Sequence, residues 1–152
     1  MARILIADDD DLIAQMACDI LLDAGHACGW VTSGEHAWDL METRRPDILL
    51  LDQDMPGMSG VTLLRKLRGS QFFYDLPVIM FTAMTDEADE TRAIYAGAQE
   101  YLRKPFTKQG LLSKITDVLM RRGRDLHVDL KTRVAREAGF LEETSSLKRR
   151  WV

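Results

Sequence analysis

The feature that most constrains the fold is a regular alternation of two hydrophobic periods over residues 1–120. Short apolar runs, typical of buried parallel strands, are each followed by a longer segment with apolar residues at helical spacing. Strands that alternate with helices in this way predict a parallel sheet with helices on both faces. We therefore predict an α/β fold, a doubly wound (βα)5 domain with a five-stranded parallel sheet. The predicted strands cover residues 3–7, 27–32, 47–51, 76–82 and 98–103.

Capping and breaking residues indicate where the helices begin and end. The acidic run Asp8–Asp11 suits the N-cap and first turn of a first helix, and Gly25 suits its C-terminal end. The apolar face of this helix is predicted from residues at helical spacing, namely Leu12, Ile13, Met16, Ile20 and Leu21. The predicted helices cover residues 11–24, 34–44, 59–69 and 85–96, and a last one begins at Thr107.

Charge divides the 152-residue chain into two parts. Residues 1–120 carry a net charge of −8, whereas residues 121–152 carry +4. An acidic body argues against direct nucleic-acid binding by the main domain, because the phosphate backbone attracts basic surfaces. We predict a domain over residues 1–122 and a basic C-terminal helical extension or linker over residues 123–152.

The C-terminal extension has an amphipathic pattern of its own. Apolar residues recur every four positions between charged ones, which predicts a helix near 125–138 that ends at Gly139. A short helix is marginal in water by itself, so the apolar stripe indicates an apolar partner. The stripe either caps a face of the main domain in the resting state or adds to a homodimer contact, and we favour the homodimer contact. The stripe consists of Leu126, Leu130, Val134 and Ala138.

Two further patterns bear on the class of protein. No apolar run approaches the length of a membrane span, and the N-terminal segment lacks the long apolar core of a secretory signal. We therefore expect a cytoplasmic protein without a membrane span. Cys18 and Cys28 are too few for a disulfide framework or a zinc site, and we expect both to be small buried hydrophobic residues.

Polar residues follow four of the predicted strands at the point where each strand ends. Taken singly, an Asp in such a place is commonly a helix cap or turn former, a Thr a strand residue and a Lys a solvated charge. In doubly wound folds, however, the carboxyl ends of the strands form one ligand-binding edge. The joint placement therefore predicts a functional site. Its residues are Asp8 and Asp9 after the first strand, Asp52 after the third, Thr82 after the fourth and Lys104 after the fifth.

The chemistry of this set points to a metal ion and to phosphoryl transfer. Three neighbouring carboxylates repel one another, and a hard divalent cation such as Mg²⁺ relieves that repulsion. Lys104 adds a fixed positive charge and Thr82 a hydroxyl donor. A cation, an ammonium and a hydroxyl around one carboxylate can neutralise a transferring phosphoryl group, and the carboxylate can become an acyl phosphate.

Four segments, ILIADDD, DILLLDQDMPGMSG, PVIMFTA and GAQEYLRKPF, together resemble the flavodoxin-like receiver domain of two-component response regulators. The resemblance implies that Asp52 is the phosphoacceptor, supplied by a phosphohistidine of a sensor histidine kinase or a phosphotransfer protein. It also implies that Asp8, Asp9, Asp52 and the backbone carbonyl of Asp54 hold Mg²⁺. Thr82 and Lys104 would contact the phosphoryl oxygens.

The resemblance further implies a conformational readout. Tyr101 matches the switch aromatic of the family, which moves from a partly exposed to a buried position when Thr82 moves toward the phosphate. Ala83 is small and leaves room for that movement, and the Lys104–Pro105 peptide bond is expected to be cis, which proline favours. A downstream protein partner is then expected on the face formed by residues 86–119.

Three other functions stay open at this point. The first is a Mg²⁺-dependent enzyme with an aspartyl-phosphate intermediate on a related α/β scaffold, although the short connections leave no substrate-binding cap. The second is a scaffold that only resembles a receiver, which the intact set of five site residues argues against. The third is the receiver part of a truncated DNA-binding response regulator, over which we favour a stand-alone receiver.

Overall fold

A computed structural model of the chain describes residues 1–83, 91–94 and 96–121. Strands and helices alternate along these residues as predicted. The strands are β1 (Arg3–Ala7), β2 (Ala27–Val31), β3 (Ile48–Leu51), β4 (Val78–Thr82) and β5 (Glu100–Arg103). The helices are α1 (Asp11–Asp23), α2 (Gly34–Thr43), α3 (Gly60–Arg68), the helical residues 91–94 (α4) and the helical residues 108–121 (α5).

The five strands form one parallel sheet in the order β2-β1-β3-β4-β5. The predicted α/β class and parallel (βα)5 sheet are therefore confirmed. The register brings distant residues together, because Ala7 of β1 pairs with Leu51 of β3. The next residues along each strand, Asp8 and Asp52, consequently leave the sheet side by side at its carboxyl edge.

The three central strands form the floor of the core. Every residue of β3 and β4 is buried, and so are the last four residues of β1. Burial on both faces is the reason these strands are continuous apolar runs in the sequence rather than alternating ones. Residues Met1–Thr116 form one compact unit, which holds the whole sheet.

Short polar side chains begin the helices, as the sequence indicated. The Asp10 side chain accepts hydrogen bonds from the backbone N–H groups of Leu12 and Ile13, at 3.1 and 3.3 Å. Ser33 and Ser59 cap α2 and α3 in the same manner. The predicted ends of the described elements lie within two residues of the observed ones, and the two-residue differences are at the starts of β4 and β5.

The predicted buried face of α1 is partly wrong. Leu12 and Met16 are 67% and 52% exposed, whereas the face against the sheet consists of Ala14, Ala17, Cys18 and Leu21. Small side chains let the helix axis approach the sheet closely, so the larger residues on the adjoining face remain outside. Leu21 was placed correctly. Cys18 is buried as expected, but Cys28 is only half-buried, and both carry free thiols.

Some predictions concern residues that lie outside the described ranges. Of the helix predicted over 85–96, the structure describes 91–94 as helical, and the helix predicted near 125–138 lies wholly outside. The predicted domain boundary at residue 122 adjoins the same part of the chain and stays a prediction. Among the described residues, no helix has both the length and the apolar character needed to cross a membrane.

Candidate phosphoacceptor and metal site

Three carboxylates meet at the carboxyl edge of the sheet. Oxygen atoms of Asp8, Asp9 and Asp52 all lie within 4.8 Å of one another. Asp8 is fully buried and Asp52 is 4% exposed, while Asp9 is exposed. The paired ends of β1 and β3 place the two buried carboxylates, and Asp9 adds a third from the outer side. The predicted acidic cluster is therefore present.

Lys104 brings a positive charge into the cluster from the end of β5. Its Nζ lies 2.5 Å from Asp8 Oδ2 and 3.5 Å from Asp52 Oδ1. The ammonium group also lies 4.9 Å from the centre of the Phe81 ring, a cation–π contact from β4. The Lys104 backbone N–H donates to the Thr82 carbonyl at 3.0 Å, which fixes the end of β5 beside the end of β4.

The surroundings of Asp52 shift its proton affinity. Burial, followed by the negative charge of Asp8, raises the pKa of Asp52 from 3.8 to about 6. Lys104 opposes the shift, Asp9 adds to it, and a hydrogen bond from the Asp54 backbone again lowers the pKa. Burial is the largest cause of the raised pKa, because it removes water that would otherwise stabilise the charged carboxylate. The charge of Asp52 is therefore under-compensated. At neutral pH Asp52 is nonetheless ionised.

The loop after β3 is built tightly around the Asp52 backbone. The Gln53 carbonyl accepts a hydrogen bond from Gly60 at 3.0 Å, and the Gln53 side chain accepts one from Val61 at 2.8 Å. A Cβ atom on Gly60 would lie 2.3 Å from the Asp52 carbonyl oxygen. The roles of Gln53 and Gly60 in this loop were not predicted from the sequence. The available signal was a glycine at the first position of α3, where a better helix former would be expected.

The remaining predicted residues surround the site at different depths. Thr82 is fully buried at the end of β4, and Ala83 is exposed. The Lys104–Pro105 peptide bond is cis, which confirms that prediction, and the proline ring is exposed. The Asp54 side chain is also exposed and does not join the three-carboxylate cluster.

Tyr101 differs from the partly exposed starting position that we expected. It is 6% exposed and belongs to the main hydrophobic core cluster. The register explains this position, because Tyr101 pairs with Met80 on the adjoining strand and packs with the same buried cluster. The structure therefore places the Tyr101 side chain in a buried position.

The donor set fits a hard divalent cation. Among the residues that the structure describes, three carboxylates lie beside the Lys104 ammonium group, so negative charge exceeds positive charge there. Carboxylate oxygens are the ligands that Mg²⁺ prefers, usually one or two of them with several waters. The fold and the site together define a doubly wound α/β domain with an acidic pocket at the carboxyl ends of its strands.

Comparison with known proteins gives the family of this domain. The response regulator receiver domain model matches residues 4–116. The chain is 36% identical over 120 residues to the phosphate regulon transcriptional regulatory protein PhoB of Pseudomonas aeruginosa, covering 79% of this chain and 52% of that protein. It is 34% identical over 119 residues to the DNA-binding response regulator MtrA of Mycolicibacterium smegmatis, covering 78% and 51%.

Solved structures agree with these sequence relatives. The receiver domain of the Francisella response regulator 1452 superposes with a TM-score of 0.74 at 28% identity, covering 80% of this chain and 99% of that one. The chemotaxis protein CheY4 of Vibrio cholerae gives 0.73 at 30% identity, covering 78% and 98%. The chain belongs to the response regulator receiver family. It spans about half the length of the curated relatives that it matches.

Proposed function

We propose that this chain is a phosphorylation-dependent signalling switch in which Asp52 accepts a phosphoryl group from a phosphohistidine. The donor is a sensor histidine kinase or a histidine phosphotransfer protein, in the cytoplasm. The observation that carries the proposal is a buried carboxylate with a raised pKa, 3.5 Å from an ammonium group and beside two further carboxylates. Membership of the receiver family favours this switch over the enzyme hypothesis.

Asp8, Asp9, Asp52 and the backbone carbonyl of Asp54 are the residues that would hold Mg²⁺. When bound, the ion supplies positive charge that offsets the carboxylates and the incoming phosphoryl oxygens. The fit rests on the oxygen donors within 4.8 Å and on the charge that Lys104 leaves uncompensated. The site therefore combines a place for the ion with a nucleophile at the same sheet edge.

The chain's own residues then carry out the transfer. An Asp52 carboxylate oxygen attacks phosphorus, the phosphorus–nitrogen bond to the donor histidine breaks, and the imidazole leaves. The Lys104 ammonium, already between Asp8 and Asp52, lies within reach of a phosphoryl oxygen on Asp52. The buried Thr82 hydroxyl contacts another phosphoryl oxygen. These groups mainly position the phosphoryl group and neutralise its negative charge, as phosphoryl transfer requires.

The readout in this proposal runs through Thr82, Ala83 and Tyr101. Phosphorylation favours the inward position of Tyr101 because the phosphate draws Thr82 toward it. Such a shift requires that the phosphate bind the inward state better than the outward one. The inward position is compatible with the core, since Tyr101 already packs there. The changed surface lies over residues 86–119 and receives a downstream protein partner or a second copy of the chain.

A second candidate function concerns a longer protein of which this receiver domain would be one part. The matched relatives are about twice as long as the aligned region, and MtrA is named as a DNA-binding regulator. Under this alternative the chain is the receiver part of a DNA-binding response regulator. The acidic charge of residues 1–120 supports our proposal that the receiver itself does not bind nucleic acid.

Labelling with a small phosphodonor tests the proposed function. The chain is incubated with acetyl phosphate with and without Mg²⁺, and intact mass is followed. We expect one phosphoryl group per chain, formed only with Mg²⁺ and absent in the variant Asp52→Asn. The matched control Asp54→Asn removes an exposed carboxylate two residues away and should still be labelled. Undiminished labelling of the Asp52→Asn variant would show that the acceptor is elsewhere.

A further inference from the structure

Arg68 makes an extensive set of side-chain hydrogen bonds far from the acceptor, at the opposite end of the sheet. Arg68, the last residue of α3, donates to the Gly97 carbonyl from Nε and Nη2, at 2.9 and 2.7 Å. Its Nη2 also donates to Gln99 Oε1 at 2.9 Å. Its Nη1 donates to the carbonyls of Phe73 and Tyr74, at 3.2 and 3.3 Å. One guanidinium thus joins α3, the loop before β4 and the turn before β5.

This hydrogen-bond network determines where β5 begins. Gln99 precedes β5 directly, and its backbone N–H donates to the Val78 carbonyl at 2.9 Å. The Gln99 side chain in turn accepts from the Val78 N–H at 2.7 Å while it is bonded to Arg68. Two hydrogen bonds therefore join the first residue of β4 to the residue before β5, and the Arg68 fork holds the Gln99 side chain that makes one of them.

The position of β5 matters because this strand delivers Lys104. β5 is an edge strand of four residues, paired on one side with β4 from Ile79↔Glu100 to Thr82↔Arg103. A short edge strand has few ladder bonds to resist sliding or tilting. Lys104 follows its last residue and is held to β4 there by one backbone hydrogen bond to Thr82, so a shift of the whole strand would move the ammonium relative to Asp8 and Asp52.

We infer that Arg68 is a positioning residue for phosphorylation, which acts through β5 to hold Lys104 beside Asp52. The inference rests on the proposed function of Asp52. The backbone at Gly97 is shaped to admit the arginine, since a Cβ there would lie 2.7 Å from Arg68 Nε. Arginine is required for its planar fork of donors, which a lysine cannot reproduce.

Four variants of the full chain test the inference. Arg68→Met removes the fork and keeps an apolar stem, and Arg65→Met is the control because Arg65 is exposed in the same last turn of α3. Each is also combined with Lys104→Met. The rate of Asp52 phosphorylation by acetyl phosphate with Mg²⁺ is measured by intact mass. We expect Arg68→Met to lower this rate on the order of tenfold in the parent background, within the effect of a misplacement of about 1 Å.

A role through Lys104 has a signature that a general loss of stability lacks. In the Lys104→Met background, Arg68→Met should change the rate less than about twofold, because the group it positions is gone. Equal losses in both backgrounds, or no loss in the parent background, would overturn the inference. Arg65→Met should change neither rate.

If Arg68→Met does not fold, Arg68→Lys, which keeps the charge without the fork, serves in the same rate measurement and should give a smaller loss. A parent chain that is never labelled refutes the proposed function, whereas a labelled parent with equal losses in both backgrounds refutes the positioning role.

Discussion

The negative charge of Asp52 destabilises the folded chain, and Asp52→Asn should therefore stabilise the protein at neutral pH. Burial and Asp8 raise the pKa of Asp52 to about 6 in the folded chain, against 3.8 for an unperturbed Asp. Between these values the folded chain binds more protons than the unfolded chain. Stability therefore falls as pH rises from about 4 to 6, and the whole cost is present above pH 6.

The magnitude follows from the size of the shift. Each pKa unit corresponds to about 1.4 kcal/mol, so ionised Asp52 costs about 3 kcal/mol at pH 7.5 and only a small fraction of that at pH 4. Asn has nearly the same shape and no charge. The stability gained by Asp52→Asn should therefore be about 2–3 kcal/mol larger at pH 7.5 than at pH 4. The changed hydrogen bonds contribute at both pH values, so their effect cancels when the gain in stability at pH 4 is subtracted from the gain at pH 7.5.

Urea unfolding of parent and variant at both pH values, without Mg²⁺, measures this difference. Asp54→Asn is the control, because that side chain is exposed and its replacement should change stability by less than about 0.5 kcal/mol. Adding Mg²⁺ should narrow the gap at pH 7.5, since an ion that binds the folded parent stabilises it. A gain that is the same at both pH values would show that the charge of Asp52 is not the cause.

Three further predictions concern other parts of the chain. Lys104→Ala should fold but lose about 1.5–3 kcal/mol of charge-assisted contact, which lowers the labelling rate by roughly one to two orders of magnitude. The control Lys108→Ala removes an exposed lysine and should leave the labelling rate unchanged. Gly60→Ala should cost about 1–3 kcal/mol in urea unfolding, because its Cβ would meet the Asp52 carbonyl at 2.3 Å, whereas Gly69→Ala, whose nearest contact is 3.6 Å, should be nearly neutral or stabilising. Ultracentrifugation of the whole chain and of a chain ending at Arg122, each with and without a phosphoryl mimic, should show dimers only with the extension; identical states in all four samples would exclude an assembly role for it.

The sequence was sufficient for the parts of the site that follow strand ends. Asp8, Asp52 and Lys104 could be placed together because parallel strands all point their carboxyl ends to one edge, whatever their order in the sheet. The buried character of β3 could also be predicted, since the ILLL run of Ile48–Leu51 has no polar residue to turn outward. The capping role of Asp10 followed from local chemistry alone.

Features that depend on distances between elements could not be read in the same way. Gly60 looks like an ordinary helix-start glycine until the Asp52 carbonyl is found against it. Arg68 reads as a basic residue at a helix C-terminus, and its partners lie in a turn about thirty residues later. The exposed Leu12 and Met16 show that helical spacing identifies an apolar surface without deciding which side of it meets the sheet.

The order of the site residues along the chain has a consequence for synthesis on the ribosome. Asp8, Asp9 and Asp52 are translated before Thr82 and Lys104, and β3 lies beside β1 in the sheet. A growing chain that has acquired only its first half can gather three acids without the ammonium that faces them in the finished domain. We expect mutual repulsion of these acids to oppose docking of β3 on β1 until β5 has brought Lys104 to the same edge.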